Sequence, residues 1–119
     1  MFVPDSLERA FLRVELDILH LLHSFTSVAH GQEPNGADML IGLWAKDAGL
    51  PVREYPADWK QHRRAAGPIR NLEMFNAEKP DLVVAFKGGN GTKNMIDIAR
   101  RAGVEVITPG WEYMEKLIP

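Results

Sequence analysis

Asp81-Leu-Val-Val-Ala-Phe-Lys-Gly-Gly-Asn-Gly-Thr92 is the stretch that decides the fold class. The uninterrupted apolar run from Leu82 to Phe86 has the pattern of a strand buried on both faces, as in a parallel sheet covered by helices. The glycines that follow allow positive φ and let a ligand approach bare backbone. Thr92 then opens a periodic segment over residues 92–102, ended by Gly103. Strand, glycine-rich turn and helix make a βα unit, and ligands of such folds gather at the carboxyl ends of the strands.

Working outward, the same alternation recurs. Residues 104–108 read as a last strand, and 111–117 as a short terminal helix. Upstream, 68–77 reads as a helix with Pro68 allowed in its first turn. Residues 56–67 form a polar, basic connector too long for a plain turn. Residues 51–55 are a strand, 37–48 a helix stopped by Gly49, and 26–30 a short strand leading into a breaker-rich loop. Leu7, Phe11, Leu12, Val14, Ile18, Leu19 and Leu22 repeat at helical spacing, which predicts an amphipathic helix over 6–23. Asp5 and Glu8 suit its N-terminal box. The expectation is one α/β domain over 1–119, in three layers: a short parallel sheet of about four strands flanked by helices.

Composition fits that class and excludes others. The 119 residues are 45% hydrophobic and 25% charged, the balance of a globular protein rather than a disordered or collagen-like one. Net charge is −2, so the surface as a whole is no polyanion binder. No apolar run approaches the ~20 residues that span a bilayer, and no secretory leader is legible, so the cytoplasm is the expected compartment. There are no cysteines, which removes disulfides, thiolate catalysis and cysteine zinc sites.

Several residues are candidates for chemistry. After the glycine-rich turn, the free N–H groups of a helix and its positive dipole end favour a phosphate or ribose phosphate. The turn is neither a Walker A loop nor Gly-x-Gly-x-x-Gly. Arg70 is the natural fork for phosphate, and Lys60, His62, Arg63 and Arg64 add local positive charge. His30 and Asp38 flank the first loop. His20 and His23 lack an acidic partner of metal-site pattern, so no metal is expected. Met39, Leu43 and Trp44 are simplest as core, and the apolar residues around Arg70 (Leu72, Met74, Phe75) should face inward.

Together, His30-Gly31, Gly36-Ala-Asp38, Pro56-Ala-Asp-Trp59, Ala66-Gly-Pro-Ile-Arg-Asn71, Lys79-Pro-Asp-Leu-Val-Val-Ala-Phe86 and Gly88-Gly-Asn-Gly-Thr92 resemble the YspA/YpsA-related SLOG family. These are Rossmann-like domains related to the lonely-guy phosphoribohydrolases. The resemblance implies a nucleotide-type ligand in a cleft. The residues it would engage are His30, Gly31, Gly36, Asp38, Trp59, Arg64, Arg70, Asn71, Gly88, Gly89, Asn90, Gly91 and Thr92.

The chain departs from that family pattern in three ways. A family strand ending in Gly-Gly-Arg-Asp, placed between those at 26–30 and 81–86, has no counterpart here. The gap is expected to be closed by direct pairing of two strands, by Met1-Phe2-Val3, or by a partner chain, with association through exposed edges. The first loop is one residue longer and carries Glu33. Met95 stands where the phosphoribohydrolases carry a catalytic glutamate.

The resulting expectation is a sensor or sequestering protein for a nucleotide or ADP-ribose-like molecule. It has no catalytic residue, no cofactor and no membrane partner, and it forms a homo-oligomer. The alternatives are a nucleoside-monophosphate phosphoribohydrolase, disfavoured by Met95, and single-stranded DNA binding, disfavoured by net charge and few aromatics near the basic patch.

Overall fold

The computed structural model describes residues 6–32, 37–86 and 90–110. The described residues form a mixed α/β chain with four parallel strands, in two compact units, Met1–Ala57 and Asp58–Pro119. Met1-Phe2-Val3, Asp5, Glu33, Gly36, Gly88, Gly89 and the expected helix at 111–117 lie outside the described residues.

In the first unit α1 spans Ser6–His23, β1 Val28–His30, α2 Ala37–Asp47 and β2 Val52–Glu54. Leu12, Leu16 and Leu19 are the buried residues of α1, one row at i, i+4 and i+7 that packs against α2. The other apolar residues of α1 face solvent: the periodicity joined two rows into one face. Trp44 and Ala45 complete the core, and the Trp44 indole N–H donates to Asp17 Oδ1 at 2.8 Å. Met39 and Leu43, expected inside, are exposed on α2. The ring of His20 stacks on Phe25 at 5.5 Å, and both stand edge-on to Trp44. α1 ends at Ser24, whose φ is 52°; there the Phe25 N–H turns back to His20 Nδ1 at 3.1 Å. β1 and β2 run parallel, with Val28 opposite Val52 and His30 opposite Glu54.

In the second unit the expected connector carries structure of its own. Residues Trp59–His62 form α3, a single turn whose Asp58 side chain accepts from the Gln61 N–H at 3.1 Å. A 3₁₀ turn over Arg63–Ala65 leads directly into α4, Ala66–Glu78. β3 is Leu82–Val84, α5 is Asn90–Arg101 and β4 is Glu105–Ile107. Ile96 and Ala99 are the buried residues of α5, which packs on α4. Leu72 of α4 points outward, against expectation, and Met74 and Phe75 are half-buried.

Both units use the same helix stop. Gly49, at φ +74°, directs its N–H to Lys46 while Leu50 reaches Ala45 at 2.9 Å; Gly103, at φ +75°, does so to Arg100 while Val104 reaches Ala99 at 2.9 Å. These paired bonds satisfy carbonyls that the last helical turn leaves open, and only glycine takes that φ without strain. They end α2 and α5 where β2 and β4 must start.

The strands stand at the expected places but make two sheets of two strands each, β1–β2 and β3–β4. Val28 donates to Pro51 and Tyr55 donates to the His30 carbonyl, so Val28 and His30 face β2 and the backbone of Ala29 faces the other edge. Ala85 donates to Ile107, so the backbone of Leu82 and Val84 faces away from β4 in the same manner. Among the described residues each sheet has two strands, β1–β2 in the first unit and β3–β4 in the second. Leu82, Val83 and Val84 are accordingly half-buried rather than covered on both faces. An apolar run specifies a strand; it does not supply the neighbours that would bury it.

Candidate functional site

Two clusters gather the residues singled out above, one in each unit. In the second unit α4 turns Ala66, Gly67, Arg70 and Asn71 inward, the i, i+1, i+4, i+5 stripe of a helix. Half of that stripe is polar. Arg70 is only 7% exposed, and a guanidinium so placed requires hydrogen-bonding partners. Its Nε donates to Asn71 Oδ1 at 2.9 Å. The Asn71 amide nitrogen donates to the Gly91 carbonyl at 3.0 Å and to Asn94 Oδ1 at 3.1 Å. The network fixes the amide's orientation, because the Arg70 Nε only donates and a carbonyl only accepts.

Asn71 thereby ties the buried arginine to the first turn of α5, two hydrogen bonds away. That turn begins at Asn90, two residues earlier than Thr92, so Thr92 lies within it and is half-buried. Its leading N–H groups have no partner inside the helix and carry the positive end of the dipole. The cluster thus sets a buried guanidinium beside the start of a helix. Guanidinium charge and helix-start N–H donors are groups whose chemistry suits an anion.

Trp59 lies over Gly67, where a Cβ would stand 3.7 Å from its ring, and is 54% exposed. Arg64 is exposed in the 3₁₀ turn.

In the first unit His30 and Asp38 hold the loop that leaves β1. Asp38 Oδ2 accepts from the Gly31 N–H at 3.1 Å, and His30 Nδ1 accepts from the Gln32 N–H at 3.0 Å. Gln32 takes φ 58°, a conformation these two anchors sustain. The His30 ring is buried with its Nε2 against Gly42 of α2, where a Cβ would come within 3.0 Å. Among the described residues that Nε2 has no hydrogen-bond partner, and Glu54 Oε1 lies 3.8 Å away.

The structure therefore brings Arg70, Asn71 and Gly91 together, and separately His30, Gly31 and Asp38. Asn94, Gly42 and Glu54 were missed by the sequence reading. An asparagine inside a helix, against its propensity, was the available signal for Asn94. Among the described residues no group of three or more His, Asp or Glu is placed to hold a metal ion, and no helix is long and apolar enough to cross a membrane.

The chain is 36% identical over 101 residues to the Gene 61 protein of Mycobacterium phage D29, an alignment covering 79% of each chain. No solved structure matches it. The model of the YspA, cpYpsA-related SLOG family matches residues 6–62, which run from α1 through α3. With its parallel strands, its helices and the loop leaving β1, the chain belongs to the YspA, cpYpsA-related SLOG family.

Proposed function

We propose that this protein captures a nucleotide or nucleotide-derived molecule of ADP-ribose type, as a sensor or a sequestering protein that does not turn it over. SLOG membership supports a nucleotide-related ligand and a Rossmann-like fold. The observation that carries the reading is the buried Arg70 hydrogen-bonded through Asn71 to the first turn of α5. A cation shielded from water attracts a phosphate more strongly than one on the surface. A helix start adds directed N–H donors to the same anion. In this reading the ligand's phosphate lies at the α5 start, with Gly88, Gly89, Asn90, Gly91 and Thr92 around it and Arg70 behind. Trp59 and Arg64, in the same unit, engage the remainder of the ligand.

Mass spectrometry of small molecules released from the purified, heat-denatured protein identifies any ligand carried through purification. Calorimetry of ligand-free protein with inorganic phosphate, AMP, ADP and ADP-ribose then ranks them. The reading requires the phosphorylated nucleosides to bind, and to bind better than phosphate alone. Absence of binding by every compound at millimolar concentration would reject it.

A further inference from the structure

Helix α1 carries a second apolar row that the described residues leave exposed. Leu7, Phe11, Val14, Ile18 and Leu21 follow one another at alternating steps of four and three residues, with Leu22 beside them. Their exposure runs from 44% at Phe11 to 83% at Leu21. At 100° per residue the row lies well over 90° around the helix from Leu12, Leu16 and Leu19, so it is a separate face and not the margin of the core. A 4-3 alternation over two heptads is the seam by which one helix packs lengthwise on another. Single exposed leucines need no explanation, but a continuous row of this length does.

We propose that this face of α1 is a dimer seam, occupied by α1 of a second copy of the chain. From these exposures the row offers at most about 700 Å² of apolar surface per copy for burial, of the same order as the ~800 Å² per partner of a standard-sized interface. A helix seam also presents to itself the spacing it requires, so a two-fold pair of α1 helices needs no other surface. The flanks argue against a lipid surface. Glu15 borders the row on one side and Asp17 on the other, where a helix lying on anionic lipid would carry Lys or Arg. Arg9 and Arg13 lie away from the row, and Arg13 faces Asp47 at 3.8 Å. The proposal is independent of the ligand reading, since no residue of the row belongs to either cluster.

Sedimentation of the full chain between about 1 and 200 μM tests it. The parent should pass from monomer to dimer within that range and should remain dimeric when salt is raised to 0.5 M. Ile18→Glu should be monomeric throughout, with at least a 10-fold loss of affinity and unchanged helical circular dichroism. Arg13→Glu, away from the seam, should dimerise like the parent. Because the chain has no cysteine, Val14→Cys and Leu21→Cys provide a second measurement. At least one should form a disulfide-linked dimer on mild oxidation, while Arg9→Cys should not. A parent monomeric at 200 μM overturns the proposal and leaves the seam to a different protein. A dimer untouched by Ile18→Glu overturns it as well, and assigns association to another surface such as the open strand edges.

Discussion

Asn71 of α4 donates to the carbonyl of Gly91 in the first turn of α5 across 3.0 Å, while its own amide oxygen receives the Nε of buried Arg70. One amide thus joins two helices and holds the Nε of a buried guanidinium. Asn71→Leu keeps the size but removes every one of these bonds, leaving the Arg70 Nε and the Asn94 side chain to find new partners. We expect a loss of about 2–4 kcal/mol, the range for breaking a buried polar network. Urea unfolding followed by circular dichroism measures it. A change below about 0.5 kcal/mol, the usual scale of a neutral surface substitution, would show that the network contributes little to the fold.

Arg70 should matter to ligand more than to folding. Arg70→Ala removes a charge-assisted contact of roughly 1.5–3 kcal/mol, so phosphorylated ligands should bind about 10- to 100-fold more weakly. Arg70→Lys keeps the charge but cannot keep the Nε bond to Asn71, and should fall between the two. Calorimetry with ADP-ribose, alongside melting curves to confirm folding, separates these outcomes. Equal affinity in all three proteins would make Arg70 a purely structural residue.

Gly42 offers a test of sign. Replacing glycine by alanine inside an exposed helix ordinarily stabilises by about 1 kcal/mol. Here the added Cβ would stand 3.0 Å from His30 Nε2, and the ring cannot retreat easily because it is buried and its Nδ1 holds the Gln32 N–H. Gly42→Ala should therefore destabilise by about 1–2 kcal/mol. Against a His30→Ala background the same change should be neutral or stabilising. The four proteins form a double-mutant cycle, and a coupling energy near zero would mean that the ring moves freely.

What the sequence revealed and what it concealed follow from the range of the interactions involved. The limits of α1 and the glycine stops at Gly49 and Gly103 depend on residues within one turn, and they were legible. The strands were legible as apolar or β-branched runs, because that preference is also local. The division into β1–β2 and β3–β4 was not, since strand neighbours are chosen across the whole chain. The two rows of α1 were read as one, because spacing shows that a residue is periodic but not which row meets the core. Arg70 was picked out for its chemistry. Its anchoring by Asn71 to Gly91 joins residues twenty positions apart and could be seen only in the fold.

The proposed lack of turnover rests on Met95. Because α5 opens at Asn90, Met95 is its sixth residue, ~7.5 Å along the axis from the first and not within the first turn. It is half-buried there. Hydrolysis of a nucleoside monophosphate to base and ribose phosphate develops positive charge on the ribose as the glycosidic bond breaks, and a nearby carboxylate stabilises it. A thioether carries no charge to do so and can only pack against the sugar. The parent should therefore bind nucleotide and release no base from AMP above the rate in buffer, as followed by chromatography of the free adenine. Met95→Glu should gain slow but detectable release if the ribose lies over this second turn of α5. Turnover by the parent would overturn the reading of a binding protein. Retained binding with no release from either protein would place the ribose away from Met95 and limit α5 to holding the phosphate.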